Sequence, residues 1–540
     1  MCEIALTLII VAFTSFYLYV RRKMTFWERR GIPADPGYFP FGSQGTWDML
    51  TQKIAFGELT DGAYKRFPDS PVVGTYRLFG DPNLVIRDLD LAKLVLVKHF
   101  DTFIERKPLQ NQPFSPHSKN NQYFQLMLIE LRGQQWKNVR SQLTPAFTSG
   151  KLKVMVPLIH HVANQCDVFL DKNLGVEIDG KELMRRFALD TIVSTGFGYE
   201  SNSMEDPSNM LKTNADALLG KTLSPKTFLT FMMYQFFPTM LRWLDWSFFN
   251  PKSEEFFAAI VKKAMADRQE SGSKRNDFID IFIDILKKEM STEKGMQTSE
   301  VEKQSSETRE AAPKTKATDN GGDLALKKEE AEKLIIANSL LMFFAGFDTL
   351  SSASSIMLYF LATHPDYQEK LYQEIKEAAE STGSDQFDYA TIMGLSYMEK
   401  FFQESLRMYP LMHLERASVN EFKIPGTDMV IPKDVYVLIA SSGFVKDEKY
   451  FPNPSVFDPE NFAPEKKAAR HPFASGGFGH GPRNCIAQRF ATMEVKIIMS
   501  RILMKYRVLK CEKTVEKLIP DPTSMSQDPI GSVWFTVEKR

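Results

Sequence analysis

The chain has 540 residues, 43% of them hydrophobic and 25% charged, with 67 basic and 67 acidic side chains. That is ordinary for a large globular protein, and the balanced charge gives no electrostatic basis for binding nucleic acid. The four cysteines (Cys2, Cys166, Cys485 and Cys511) form no CxxC pair and no zinc spacing, which fits a reducing compartment. Forty-two phenylalanines predict a large apolar interior or pocket.

Residues 4–20 run Ile-Ala-Leu-Thr-Leu-Ile-Ile-Val-Ala-Phe-Thr-Ser-Phe-Tyr-Leu-Tyr-Val, uncharged and just long enough to span a bilayer as a helix. Arg21, Arg22 and Lys23 follow at once and predict a cytoplasmic body. A cleaved secretory signal would have basic charge before the run and small residues after it. Here Glu3 precedes and arginines follow, so residues 1–23 read as an uncleaved anchor with a basic stop. Residues 24–45, rich in Pro and Gly from Gly31 to Gly42, read as a stiff hinge.

Strand-like runs appear at Val72–Tyr76 and Asn83–Ile86, and helical patterns dominate from about residue 122. Trp136 and Arg140 are spaced i, i+4 and share one helix face. Residues 222–249 are crowded with Phe, Met and Trp but broken by Pro225 and Pro238. They read either as core or as a membrane-dipping lid. Residues 290–325 hold almost no large apolar side chains and read as a disordered insertion.

A long helix pattern from Leu326 to Ala362 carries Gly346, Asp348 and Thr349 in an apolar stretch. Buried charge is costly without a partner. The trio reads either as a groove binding water or ligand, or as Thr back-bonding with Asp at a packing site. The helix from Tyr397, stopped by Pro410, places Glu404 and Arg407 at i, i+3 beside Phe401, Phe402 and Leu406, so a buried ion pair is expected. Strand-like runs at Met429–Ile431 and Val435–Ala440 follow, and the tail from 513 alternates like strands. The expected fold is mainly α with a smaller β-rich region, an α+β class.

Residues 473–487, Phe-Ala-Ser-Gly-Gly-Phe-Gly-His-Gly-Pro-Arg-Asn-Cys-Ile-Ala, precede a helical pattern. Glycines let a backbone approach a flat partner, and a cysteine at a helix N-terminus is favoured as thiolate. No Gly-x-Gly-x-x-Gly unit with strand, helix and downstream acid is present, so no dinucleotide site is expected.

Taken together, these stretches resemble the cytochrome P-450 superfamily, the haem-thiolate monooxygenases, over essentially the whole chain. Phe478, Gly481, Arg483 and Cys485 match Phe-x-x-Gly-x-Arg-x-Cys-x-Gly, with Ala487 in the last glycine's place. Trp136/Arg140 match Trp-x-x-x-Arg, Ala345–Thr349 match Ala-Gly-x-Asp-Thr, and Glu404/Arg407 match Glu-x-x-Arg, in the right order. The anchor and hinge resemble the microsomal animal class. The Leu414-Glu-Arg416 stretch looks most like insect members that handle foreign compounds.

The resemblance implies haem b with Cys485 as its axial thiolate, the type of ligation that favours O–O cleavage. It implies Phe478 packed beside the sulfur, and Trp136, Arg140, Arg416 and Arg483 on the haem propionates. Asp348 and Thr349 would help deliver the protons that dioxygen reduction consumes, and Glu404/Arg407 would form a structural network. Residues 46–540 would be one catalytic domain on the cytosolic side of the endoplasmic reticulum. It would take a lipophilic substrate and O2, with electrons from NADPH through a cytochrome reductase and cytochrome b5 as a further partner. Rival readings are a haem-thiolate isomerase or dehydratase acting on peroxides without reductase, or a non-enzymatic haem sensor or carrier. There are three departures. Asn461 stands where the family usually has an arginine, which leaves the Glu404/Arg407 network one charge short and predicts that Asn461→Arg stabilises. Leu350 replaces the usual Thr or Ser, with Ser351 and Ser352 following. Ala487 replaces glycine.

Overall fold

The computed structural model describes residues 2–107, 120–219, 229–230, 232–234, 237–244, 246–247, 249–272, 274–275, 277–284, 320–411, 413–524 and 527–540. Among them helices dominate and strands are short, as the α+β reading expects. Helix α1, Cys2–Lys23, ends in the three basic residues and is exposed over nearly all its length. The next segment is fastened to the body. Trp27 is fully buried against Gly74, its Nε1 donates to the Thr75 carbonyl at 3.1 Å, and Ile32 is buried with it. Pro and Gly stiffen this stretch, but the apolar area of Trp27 fastens it to the body.

Strands β1 (Val72–Tyr76) and β2 (Pro82–Ile86) pair antiparallel. A second sheet pairing involves β3 (Ile178–Asp179). Strand β4 (Leu414–Ala417) pairs antiparallel with β5 (Tyr436–Ile439), which runs parallel to β2, giving the order β1-β2-β5-β4. Val72, Val73, Leu84, Ile86, Val437 and Ile439 are all buried. Strands with both faces covered read as continuous apolar runs. The tail is less stranded than its alternation predicts. It gives only β7 (Trp534–Lys539), which pairs with β6 (Tyr506–Leu509), just ahead of the tail, and with β3 in the order β6-β7-β3.

The helical core surrounds one long element. After α2 (Gly133–Leu143), α3 (Ser149–Lys172), α4 (Gly180–Ile192) and α5 (Pro251–Ser271) comes α6, Asn320–Thr363. Its 44 residues extend about 66 Å. It starts six residues before the expected Leu326, and residues 290–319 of the expected insertion lie outside the described residues. Helix α4 packs along α6. Phe257 of α5 lies tilted against Phe343 of α6 with centroids 4.1 Å apart, and Phe343 stacks on Phe347 one turn on at 5.7 Å. Helices α7 (Pro365–Thr382), α8 (Ser396–Met408) and α9 (Gln488–Lys505) complete the core. Met493, Val495, Ile497, Ile498 and Met499 of α9 are all fully buried, and the interleaved Glu494 and Lys496 are buried with them, so this helix is enclosed on every side at the centre of the protein.

Of the aromatic stretch 222–249, residues 222–228, 231, 235–236, 245 and 248 lie outside the described residues. The rest divides between the two readings. Met233, Tyr234, Leu241 and Phe249 are core, whereas Trp243 is 87% exposed and Leu229, Met240 and Leu244 are exposed with it. Rings link this stretch to α1: Phe79 lies 5.7 Å from Phe237 and 5.7 Å from Phe16.

Candidate active site

Cys485 closes the glycine loop just before α9. Its amide donates to the Phe478 carbonyl at 2.8 Å, and the Ala487 amide donates to its sulfur. Gly481 has φ +74°, and a Cβ there would collide with the Leu96 carbonyl, so the position tolerates only glycine. A Cβ on Gly477 would press on Leu406 of α8 at 2.8 Å, and Phe402 of α8 meets the Phe478 ring edge-on at 6.1 Å. Helix α8 is therefore the platform under the loop. Ala487 has φ −94°, so the missing last glycine brings no backbone strain.

Cys485 is deep enough that burial, the largest influence, pushes its thiol up, yet it keeps accessible surface. Both hold for a side chain that borders an internal space. The Ala487 amide, Arg140 and Arg106 act in the opposite direction, but burial outweighs them. A similar surface lies midway along α6. Ala345 is exposed and Thr349 partly so, while Phe343, Phe347 and Leu350 are buried. Leu341 of α6 and Ile486 of the loop pack on one small cluster with Trp136 and Leu131.

The cationic residues gather beside this loop. Arg483 donates to the Ile104 and Leu131 carbonyls at 2.6 and 3.1 Å and lies 4.2 Å over the Trp136 ring. Arg140 donates to Asn484 Oδ1 at 2.9 Å. Arg416, buried, donates to the carbonyls of Glu415 and His480, and its Nε has no partner within the protein. Burial and then the charge of Arg106 bring Arg416 and Arg483 down to about 9. Arg106 carries a buried unpartnered Nε as well. It belongs to no motif, and only its approach to the other three guanidiniums reveals it. Burial works against ionisation of Glu415, but His413, Lys107 and Arg106 pull its carboxyl down to about 2.

Asp348 and Thr349 point into different surroundings. Thr349 Oγ1 donates to the Ala345 carbonyl at 2.6 Å, the back-bonding expected of a mid-helix threonine. The Asp348 carboxylate faces α4, where Arg185 Nη1 lies 3.3 Å and Lys181 Nζ 3.8 Å away. Each cation has a nearer acid: Arg185 is 2.8 Å from Asp216, and Lys181 is 2.5 Å from Asp528. Ser352 joins them, 2.6 Å from Lys181 and 2.7 Å from Asp528, on the same side as Asp348 and not beside Thr349. A basic pair at i, i+4 on a helix with a buried face is the sequence signal for Lys181 and Arg185.

Glu404 and Arg407 are 0% and 3% exposed and form a bidentate pair with both contacts at 2.7 Å. Arg407 also donates to the carbonyls of Val445, Pro454 and Val456. Glu404 Oε1 accepts in addition from the Asp458 amide at 2.9 Å and from Asn461 Nδ2 at 3.1 Å. This burial agrees with the sequence expectation.

The residues fit haem. A loop without side-chain bulk presents one sulfur to an internal space, and two buried guanidinium nitrogens beside it lack protein acceptors, as carboxylate-bearing propionates require.

Comparison with known proteins agrees. The family model described as Cytochrome P-450 matches residues 70–319 and 307–533. Cytochrome P-450 6a2 of Drosophila melanogaster is 31% identical over 98% of this chain and 99% of its own length. Cytochrome P-450 6k1 of Blattella germanica is 32% identical over 95% and 93%, and Cytochrome P-450 6B6 of Helicoverpa armigera is 30% identical over 98% and 97%. These relatives are insect proteins, the branch that the Leu414–Arg416 stretch resembles. With a family match over most of its length and relatives aligned end to end, the chain belongs to the cytochrome P-450 family and is a haem-dependent monooxygenase.

Proposed function

We propose that Cys485 and the Ala345–Thr349 stretch are opposite walls of one internal space, holding haem b against the loop and a lipophilic substrate above it. The observation that carries this reading is the accessible surface kept by both walls deep inside the body. Bound haem supplies the redox iron at which dioxygen is activated. Cys485 would be its axial ligand, with Phe478 beside the sulfur. Trp136, Arg140, Arg416, Arg483 and Arg106 would orient it through its propionates. Thr349 Oγ1 would give up its bond to the Ala345 carbonyl and turn its O–H into the space, where it would donate. Asp348, whose carboxylate faces Lys181 and Arg185 on α4, would have to leave those cations, take up a proton on that side and turn toward Thr349 to restore it.

Thr349→Ala is expected to leave haem content and substrate binding unchanged but to lower product formed per NADPH by about tenfold, with hydrogen peroxide released instead. Unchanged coupling would remove Thr349 from the mechanism. The Asp348–Thr349 pair disfavours the peroxide isomerase reading and the sensor reading, neither of which consumes protons in this way.

The family's reaction takes electrons from a reductase. We propose NADPH-cytochrome reductase as that partner and cytochrome b5 as an auxiliary one. We also propose that foreign lipophilic compounds are the substrates, and that the body lies on the cytosolic side of the endoplasmic reticulum membrane. The exposed Leu229, Met240 and Trp243, joined to α1 through Phe237, Phe79 and Phe16, would rest in the same bilayer as the anchor. In vesicles with brominated acyl chains, Trp243→Phe is expected to abolish most of the lipid quenching of tryptophan fluorescence. Quenching that is the same in the variant would put this stretch in water.

A further inference from the structure

Asn461 leaves Glu404 with an amide where the family pattern supplies a guanidinium. A buried carboxylate with one positive partner instead of two is a weak point unless another cation approaches. The cations around it are few. Lys400 is committed to Glu460 at 2.7 Å, and Lys466 reaches only Asp458, at 3.6 Å. Arg407 is the bidentate partner itself.

Arg470 stands apart from these. It follows the short helix Pro464–Ala469. Its Nη2 donates to the Asn461 carbonyl at 2.9 Å. Its guanidinium lies 4.0 Å over the Phe451 ring and 5.0 Å from the Phe462 ring centre, and Arg407 lies 4.9 Å from the same Phe451 ring. No carboxylate lies within ion-pair distance of Arg470 among the described residues; burial, the largest influence, lowers its guanidinium, the charge of Glu404 acts in the opposite direction, and Arg407 repels it. Arg470 is thus held by one carbonyl and two rings, next to the residue that lacks a charge and on the ring that Arg407 also touches. Stacking on aromatic faces is what a planar guanidinium does and an ammonium does poorly.

We infer that Arg470 supplies, from nine positions downstream, the positive partner that Asn461 does not give the Glu404–Arg407 pair. It acts as a positioning residue. The pair ties residues 445–458 to α8, and α8 carries Leu406 and Phe402 against Gly477 and Phe478 of the cysteine loop. Asn461 and Arg470 are therefore one divided replacement for a single arginine. On this inference the network is not a charge short, and a guanidinium added at Asn461 would meet Arg470.

The test is a charge swap in the full holoenzyme, read by thermal unfolding and by the rate of haem transfer to an apoprotein acceptor. Arg470→Ala is expected to lower the melting temperature by about 3 °C and to speed haem loss by about tenfold. Arg470→Lys, which keeps charge but loses the stacking, should recover only part of this. Asn461→Arg alone should not stabilise. Asn461→Arg combined with Arg470→Ala should return both readouts to near the wild-type values, which a merely packing role of Arg470 would not do. If Arg470→Ala fails to accumulate, accumulation of the double variant as holoprotein supports the inference, and its failure to accumulate counts against it. Wild-type stability of Arg470→Ala would overturn it, as would stabilisation by Asn461→Arg that is the same with and without Arg470.

Discussion

Glu404→Ala is expected to yield no folded, haem-containing protein. The substitution leaves the Arg407 guanidinium, 3% exposed, without its carboxylate. Stranding one partner of a buried pair costs about 3–5 kcal/mol. The Asp458 amide and the Asn461 side chain lose their shared acceptor as well, at about 1 kcal/mol or more each. Together these approach the roughly 5–15 kcal/mol that holds a typical protein folded. Arg407→Lys should fare little better. An ammonium cannot reproduce two parallel bonds to Glu404 together with three bonds to the carbonyls of Val445, Pro454 and Val456. The check is the haem content of the membrane fraction after expression. A Glu404→Ala protein with wild-type haem content and melting temperature would mean that the pair is dispensable, and that α8 supports the cysteine loop by packing alone.

The parts of the site that were legible in the sequence are those set by short spacings on one element. Trp136/Arg140 and Glu404/Arg407 lie within one turn of a helix, and the cysteine loop is continuous. The glycines of that loop could be named because only a bare backbone passes Leu96 and Leu406. What stayed hidden depends on chain segments brought together by folding. Arg106 has no motif of its own, and its meaning comes from three arginines on other elements. Lys181, Asp528 and Ser352 meet from α4, the C-terminal turns and α6. Arg470 looks like one more surface cation until the Phe451 ring is placed beneath it. In the stiff segment 24–45, Pro and Gly outweigh a single tryptophan in composition but not in buried area, so its fastening to the body through Trp27 shows only in the fold. The strands were legible where both faces are covered, as at Val72–Tyr76, and overcounted after residue 513, where alternation falls on turns.

The second large effect concerns Cys485. Of the described cysteines, Cys166 is fully buried within α3, where burial pushes its thiol up. Cys511 lies in a turn with Thr514, whose hydroxyl donates to its sulfur at 3.5 Å. Only Cys485 combines a helix N-terminus, an amide donor on the sulfur, nearby guanidiniums and a bare glycine approach. Coordination deprotonates a thiol outright, so iron would overcome the burial that otherwise holds it protonated. Removing the sulfur leaves the arginine cluster and the packing of the loop in place, so a variant can still bind haem without its thiolate. The most direct measurement is the absorption spectrum of the reduced protein with carbon monoxide, wild type against Cys485→Ala. The wild type should show the band of thiolate-ligated haem at full amplitude and the variant none of it. A thiolate band that persists in Cys485→Ala, or is absent from the wild type, would contradict the assignment of Cys485 as the ligand.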